Sequence, residues 1–257
     1  MSLCILTFST TLFPPVTSSS EQRIRTMKLV VDKDGLKLPD LDDFKRVYSE
    51  LEREFSAIMV LTPAEAILPI TETAKLAAQS HGGTAKISVL DTQQLGPGLG
   101  ILAQTAAQLA DENASLSDIE IHIRGMLPHL FTLIVPDSLQ SVKEEQTLLQ
   151  TGSATDQPGM FPVFLLEEGD LTLHKKVRTQ RHLLETLQVF IEEFEFPQQL
   201  VYFHGTNASL NFRLLQTTAS DLFPNATISE LELDLPLAAL FGPQALGLTV
   251  LEMPEKK

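Results

Sequence analysis

The sequence predicts an α/β protein built from two domains. Three observations support this: strands and helices alternate through the first half of the chain, a polar stretch interrupts them at 150–159, and a predicted hairpin opens the second half. Strand–helix–strand units of this length bury their strands on both faces, which implies a mostly parallel sheet. A chain of 257 residues can form two small domains. We expect domains at 1–149 and 150–257.

The elements of the first domain follow from apolar runs and from helical spacing. Apolar residues at Phe44, Val47, Tyr48, Leu51 and Phe55 have the spacing of an amphipathic helix. The predicted strands are Leu3–Phe8, Met27–Val31, Ala57–Leu61, Lys86–Leu90 and Phe131–Val135, and the predicted helices are Asp42–Phe55, Ile70–Gln79, Leu99–Asp111 and Ser117–Leu130.

The second domain begins after the stretch at 150–159, whose Gly, Ser, Thr, Asp and Pro residues are typical of a linker. Phe161–Leu166 and Leu171–Lys175 flank a Glu-Glu-Gly-Asp turn and predict a β-hairpin. The remaining predicted elements are the helices Thr179–Phe194 and Leu210–Asp221 and the strands Leu200–His204, Ile228–Leu235 and Leu246–Leu251.

The charge of the chain argues against nucleic acid as a partner. The formal net charge is −14, and only 19 Lys and Arg residues are spread along the sequence. A phosphate backbone requires clustered basic residues, and an anionic membrane surface attracts basic segments. No stretch approaches the roughly 18 uninterrupted apolar residues of a spanning helix. We therefore expect no nucleic-acid binding and no membrane insertion.

Cys4 is the single cysteine, so no disulfide can form within one chain. It lies in the apolar run Leu3–Leu6, where a core thiol is expected rather than a nucleophile. Residues 1–20 lack the positive start of a signal peptide, and Pro14-Pro15 interrupts the segment. These features favour a reducing compartment, and we expect a cytoplasmic protein.

No constellation of residues indicates catalysis. His122 and His129 could share a helix face, but no carboxylate or cysteine partner has metal-ligand spacing. A Gly-x-Ser-x-Gly elbow is absent, so an acyl hydrolase is unsupported. We expect a protein that is not an enzyme and that needs no cofactor.

The most informative motif lies at 89–100. A strand ends in Asp91-Thr92, and Gly96–Gly100 then opens an Ala-rich helix. Glycines allow the backbone to approach a ligand, and free N–H groups at a helix start favour an anion. The spacing matches neither a Walker A loop nor a dinucleotide-binding turn. A turn without a ligand fits the same pattern.

In this motif and in others the chain resembles the DegV family, where the matching segment reads Asp-Ser, three residues, then Ser-x-Gly-x-Gly. Thr7–Thr10 is similar to the opening Thr-Asp-Ser-Thr of that family. Phe161–Phe164 and Lys176–Thr179 resemble its Lys-Pro-Ile-Leu and Lys-Val-Arg-Thr, and Gly242–Gly247 resembles its terminal His-x-Gly-Pro-Gly and the strand that follows. The order and spacing of these motifs extend over almost the whole chain.

The resemblance implies a three-layer α/β/α N-terminal domain with a parallel sheet and a two-layer C-terminal domain with a mixed sheet. It implies a non-enzymatic protein that holds one fatty acid in the cleft between its domains and presents it to a fatty acid kinase subunit. The ligand-binding residues that it suggests in this chain are Thr62, Leu68, Thr92, Gly96, Gly98 and Arg178.

The chain departs from the family at the positions that hold the carboxylate. Phe8 replaces an aspartate, Leu68-Pro69-Ile70 replaces Ser-Gly-Thr, and Gly96 replaces a serine. Glu145–Thr147 replaces Gly-Gly-Arg, and Leu240 replaces a late histidine. The family's Thr-Ser-Gln-Pro-Ser loop is deleted or reduced to 36–40. Because a buried carboxylate without donors is costly, two alternatives remain open: an uncharged lipid-like ligand, or a paralogue without a ligand that acts as a protein interaction partner.

Overall fold

The computed structural model describes residues 2–15, 22–33, 35–137, 160–208 and 210–253. The chain forms two compact units, Met1–Leu127 and Pro128–Lys257. The elements of the first unit are β1 Leu3–Phe8, β2 Ile24–Met27, β3 Val30–Asp32, β4 Gly35–Lys37, α1 Leu41–Leu51, β5 Ala57–Thr62, α2 Thr71–Gln79, β6 Lys86–Asp91, α3 Gly96–Asp111 and α4 Leu116–Met126.

The first unit is organised around a four-stranded parallel sheet with the strand order β2-β1-β5-β6. Every residue of the two central strands is buried, as expected where both faces of a sheet are covered. Helix α1 packs against α2, and α3 packs against α4 and against β1. Because β1 and β5 are buried along their whole length, helices cover both faces of the sheet, and the unit has the predicted three layers.

Local sequence signals position the helices of this unit. Asp40 and Asp43 form a capping box at the start of α1, which satisfies two backbone N–H groups that the helix leaves free. Phe44 and Tyr48 form the buried stripe of α1. Strands β3 and β4 pair antiparallel, with Val30 opposite Lys37 and Asp32 opposite Gly35. The sequence predicts the end of a strand, a turn and the start of a reduced loop in this region.

The second unit contains a six-stranded mixed sheet. Its elements are β7 Leu130–Val135, β8 Phe161–Glu167, β9 Asp170–Val177, α5 Gln180–Glu192, β10 Pro197–His204, α6 Arg213–Leu222, β11 Thr227–Glu232, α7 Leu235–Phe241 and β12 Leu246–Glu252. The strand order is β11-β10-β12-β7-β8-β9, and only the β10–β11 pair is parallel. Leu183, Leu187 and Ile191 of α5 and Leu215 of α6 are buried against the sheet. They form one core with the strand residues Leu200, Tyr202, Leu248 and Val250.

The division between the units lies earlier than the sequence-based boundary at 149/150. Strand β7 is assigned to the first domain by sequence, but it pairs with β12 and β8 of the second sheet. The pairing therefore moves the division to Leu127/Pro128. The predicted linker at 150–159 lies outside the described residues. Among the helices that are described, none is long and apolar enough to cross a membrane.

The sequence predicts a strand over Ile228–Leu235. The observed strand β11 ends at Glu232, and helix α7 begins at Leu235. Asp234 is its N-cap residue and accepts a hydrogen bond from Leu237 N at 3.1 Å. Burial raises the pKa of Asp234 from 3.8 to about 6, although the hydrogen bond from Leu237 opposes that shift. The folded state therefore favours the neutral acid. The contribution of the neutral acid to the free energy of unfolding is complete at a pH below 3.8 and is lost as the pH rises through about 6.

We predict that Asp234→Asn stabilises the protein at neutral pH. Asparagine keeps the capping acceptor but removes the charge, which should raise the free energy of unfolding by up to about 3 kcal/mol. The difference from the wild type should disappear as the pH falls below 3.8, as measured by denaturant unfolding across pH.

Asp43→Asn is the matched control, because hydrogen bonding to the Asp40 backbone lowers the pKa of Asp43. That variant should lose stability at neutral pH. A difference between Asp234→Asn and wild type that is independent of pH would contradict the assigned burial of the Asp234 charge.

Candidate functional site

The carboxyl ends of β1 and β5 form the topological switch point of the first sheet. The chain leaves β1 towards β2 on one side and leaves β5 towards β6 on the other. In open parallel sheets, ligands bind outside the strand ends at such a point. A group of buried threonines lies at these strand ends and in the loops that follow them: Thr7, Thr10, Thr11, Thr62, Thr71 and Thr92.

The start of α3 is held against the segment that follows β1. Gly96 N donates to Thr10 O at 2.9 Å, and Leu12 N donates to Gly96 O at 3.1 Å. Gly96 has a φ of 56°, a conformation in which glycine is favoured. The N-cap residue Leu95 provides no side-chain hydrogen bond, so no side chain at the N-cap masks the positive end of the helix dipole.

Most hydroxyl groups at the strand ends are bonded within the protein. Thr62 Oγ1 and Thr71 Oγ1 lie 2.7 Å apart, and Thr62 Oγ1 also donates to Leu90 O. Thr92 Oγ1 donates to Thr62 O at 2.7 Å, and the hydroxyls of Thr7 and Thr11 pair at 2.7 Å. These bonds join the strand ends to one another.

Thr10 differs from these neighbours. Within the described part of the first unit, its Oγ1 is the buried side-chain oxygen that has no hydrogen-bond partner, and the residue is fully buried. An unsatisfied buried hydroxyl is rare in native proteins and calls for an explanation, such as a bound water or another molecule that supplies the missing hydrogen bond. Thr10 is therefore the best candidate in this unit for a direct polar contact with a ligand.

The structure brings five of the six sequence-predicted site residues to the same sheet edge. Thr62, Thr92 and Gly96 lie at the strand ends and the start of α3, as described above. Leu68 is buried in the loop between β5 and α2, where its N–H donates to Ala64 O. A methyl group on Gly98 would lie 2.5 Å from Gln94 Oε1, so glycine leaves room there for the Gln94 side chain.

Arg178, the sixth predicted residue, lies in the second unit. It is exposed and follows β9 directly. With Lys175, Lys176 and His182 it lines an open groove of about 890 Å³. Thr179 caps α5 by accepting a hydrogen bond from His182 N. Lys175, Lys176 and Arg178 bring three positive charges to the groove and Glu185 brings one negative charge, on a chain whose net charge is −14.

Acidic rather than basic groups stand beside the strand ends of the first unit. Glu65 Oε2 accepts a hydrogen bond from Thr71 N at 2.7 Å. Asp91 precedes Thr92, and its Oδ1 accepts from Gln93 N. Burial raises the pKa of Asp91, and the charge of Glu65 raises it further. Two carboxylates therefore lie at the same sheet edge as the positive end of the α3 dipole.

The described residues contain no cluster of His, Cys, Asp and Glu side chains that could hold a metal ion. Cys4 is a buried free thiol, and burial raises its pKa to about 12. It is therefore protonated at neutral pH and is not a nucleophile.

Sequence reasoning passed over Thr10, although Thr7–Thr10 is one of the matched motifs. No local pattern shows that the Thr10 hydroxyl lacks a partner, since that depends on the fold. Phe8 packs edge-on against Phe44, with the ring centroids 6.1 Å apart. Of the other departures, Leu36 lies in β4 and Leu240 is buried in α7, and Glu145–Thr147 lies outside the described residues.

Comparisons with known proteins identify a consistent set of relatives. The model of a family described as "Uncharacterised protein, DegV family" matches residues 17–253. A DegV domain-containing protein of Staphylococcus aureus is 26% identical over 157 residues, which cover 61% of this chain and 56% of that protein. The chain thus matches about half the length of this curated relative.

Solved structures match more completely in fold. A fatty acid binding DegV family protein of Streptococcus agalactiae superposes with a TM-score of 0.83 at 15% identity, covering 99% of this chain and all of that one. The fatty acid kinase B3 protein of Streptococcus pneumoniae, solved with linoleic acid, superposes with a TM-score of 0.82 at 16% identity. The match covers 98% of this chain and 100% of that protein. At this identity the likeness shows a common fold.

We predict that Gly100→Ala disrupts the start of α3. A methyl group on Gly100 would lie 1.9 Å from Leu12 O, so the segment that carries Thr10–Leu12 must shift, at about 1–3 kcal/mol in the free energy of unfolding.

Gly125→Ala is the matched control in α4, because nothing lies within 4 Å of its added methyl group. It should be neutral or stabilise by up to about 1 kcal/mol. Equal effects of the two substitutions in denaturant unfolding would refute the close approach at Gly100.

Proposed function

This chain belongs to the DegV family, whose model matches residues 17–253, and from that premise we propose that it binds a fatty acid or a related lipid-like molecule without acting on it chemically. The observation that supports this most directly is the unpartnered, buried hydroxyl of Thr10 beside the start of α3. It lies at the sheet edge where α/β proteins bind their ligands.

The relatives give the ligand class. The Streptococcus agalactiae protein is described as fatty acid binding, and the Streptococcus pneumoniae protein was crystallised with linoleic acid. These descriptions favour a binding role over catalysis for a chain of the same fold. The same proposal places the protein in the cytoplasm, in keeping with the free thiol of Cys4.

We expect a fatty acid kinase subunit to be the protein partner. The relative from Streptococcus pneumoniae is named as the B3 protein of such a kinase. The basic groove around Arg178, with Lys175, Lys176 and His182, suits an acidic surface on a partner. Charge complementarity of this kind mainly raises the rate and specificity of association.

Native mass spectrometry and solvent extraction of the purified full chain test ligand binding. We expect one single-chain lipid per protein molecule, retained through purification because burial of an acyl chain is strongly favourable. A protein that carries no lipid, takes up none when offered, and co-purifies with another polypeptide would instead indicate an interaction role without a ligand.

Arg178→Glu tests the partner surface. It should lower the rate at which a bacterial fatty acid kinase subunit phosphorylates the bound fatty acid by about tenfold or more, because reversal of one charge opposes docking. Native mass spectrometry of the variant measures its lipid occupancy and so separates loss of docking from loss of ligand.

Arg213→Glu at the start of α6 is the charge-matched control, since Arg213 is exposed and is not among the residues that line the groove. If both variants slowed the kinase equally, a general charge effect would explain the result and the groove would not be the docking surface.

A further inference from the structure

Strand β9 lies at one edge of the second sheet. It pairs with β8 on one side, and no strand in the described part of the chain pairs with its other side. The outward N–H and C=O groups of an edge strand form a row that can hydrogen-bond to another extended chain. Proteins bind extended peptides at sheet edges in this way.

The basic groove runs along this edge. Strand β9 contributes Lys175, Lys176 and Val177 to the lining, and Arg178 follows the strand directly. Helix α5 contributes residues that recur with the spacing of one helix face, namely His182, Glu185, Thr186 and Val189. A chain added beside β9 would therefore lie in the groove, along this face of α5.

The cations of the groove are not used in ion pairs within the fold. None of the ion pairs between described residues includes Lys175, Lys176 or Arg178. The acidic side chain of the lining, Glu185, is paired with Arg181 at 2.9 Å. The charge at the strand edge therefore favours an acidic segment.

The hydroxyl groups of the groove, in contrast, are engaged within α5 and its cap. Thr179 Oγ1 accepts a hydrogen bond from His182 N, and Thr186 Oγ1 donates to His182 O at 2.8 Å. Val189 is exposed and adds apolar surface. The groove therefore offers a partner mainly the backbone edge of β9, the cations and one apolar contact.

A second copy of the chain fits this edge less well than a separate protein. Lysines on an edge strand oppose pairing with an identical strand, since Lys175 and Lys176 of two copies would meet. The opposite edge strand, β11, carries Glu230 and Glu232. Glu230, however, already accepts a hydrogen bond from Gln216 and lies 3.1 Å from Nε2 of His204.

From these observations we propose that β9 binds an extended acidic segment of a partner protein, which adds to the second sheet as a further strand. This inference rests on the proposed role of the groove as a partner surface and deepens it by naming the mode of contact. It does not depend on lipid binding.

The first test measures binding of a synthetic peptide of alternating Glu and Val residues to the purified full chain by fluorescence anisotropy. The peptide has the length of β9, 8 residues. We expect it to bind, and we expect affinity to fall about tenfold or more when Lys replaces Glu in the peptide. Absence of binding, or equal binding of the Lys peptide, would overturn the proposal.

Two N-methylated forms of the peptide separate strand addition from attraction between charges. Each carries methyl groups on alternate backbone nitrogens, along one edge or along the other. The form whose methyl groups face β9 should bind about tenfold or more weakly, because it loses several hydrogen bonds. The other form has the same charges and should bind like the unmodified peptide. Equal affinities of the two forms would refute strand addition.

Hydrogen exchange of the protein locates the bound peptide. The amides of β9 should exchange more slowly in the complex, while those of β11, at the opposite edge of the same sheet, should not change. Slower exchange at β11, or at neither edge, would contradict the proposal.

Lys176→Glu tests the charge on the protein side and should lower the affinity for the acidic peptide about tenfold. Arg213→Glu is the control, because Arg213 is not among the residues that line the groove, and its affinity should match that of the wild type. Equal losses in both variants would count against the groove.

Sedimentation of the peptide-free chain tests the second copy as the occupant. We expect no association that grows with concentration. Oligomers that the acidic peptide dissolves would assign β9 to another copy and overturn a separate partner. None of these outcomes bears on lipid occupancy, and an empty protein in native mass spectrometry would overturn lipid binding without changing the expected peptide binding.

Discussion

The parallel pairing of β1 with β5, both buried along their whole length, constrains the rest of the first unit. Helices cover both faces of these strands, and the threonines at the strand ends are buried. Such groups must find partners inside the protein, because an unpaired buried hydroxyl or amide is costly. The threonine pairs at the strand ends and the backbone bonds between Thr10 and Gly96 are the result.

Because of this constraint, a residue of a type that could bind a ligand is not always available to one. Thr62 and Thr92 retain the hydroxyl side chains that the family resemblance suggests for contact with a head group. In this fold the Thr62 proton joins β5 to β6, and the Thr92 proton joins the loop after β6 back to β5. Thr10, in contrast, contributes only its backbone carbonyl to the hydrogen bonds that hold α3. The Thr10 hydroxyl has no partner among the described residues.

Sequence patterns predict the central elements well because burial on both faces leaves a strong signal. The apolar runs predict β1 with its observed bounds and β5 with an end one residue earlier than observed. The prediction is wrong at α7, where Leu233 and Leu235 continue the alternation of β11. Asp234 and Pro236 are suitable helix-start residues, and they were the signal that could have corrected it. The DegV fold follows from the order of the motifs and is confirmed by the solved relatives.

Other features depend on contacts that no local pattern records. The assignment of β7 to the second sheet follows from its pairing with β12, more than 100 residues later in the chain. The pairing of Thr62 with Thr71 likewise depends on how the loop after β5 returns to α2. The departures at Phe8, Leu68 and Gly96 predict a weakened grip on a carboxylate from residue types alone. The structure adds a second observation, because the hydroxyls of Thr62 and Thr92, which the chain retains, donate to Leu90 O and Thr62 O within the fold.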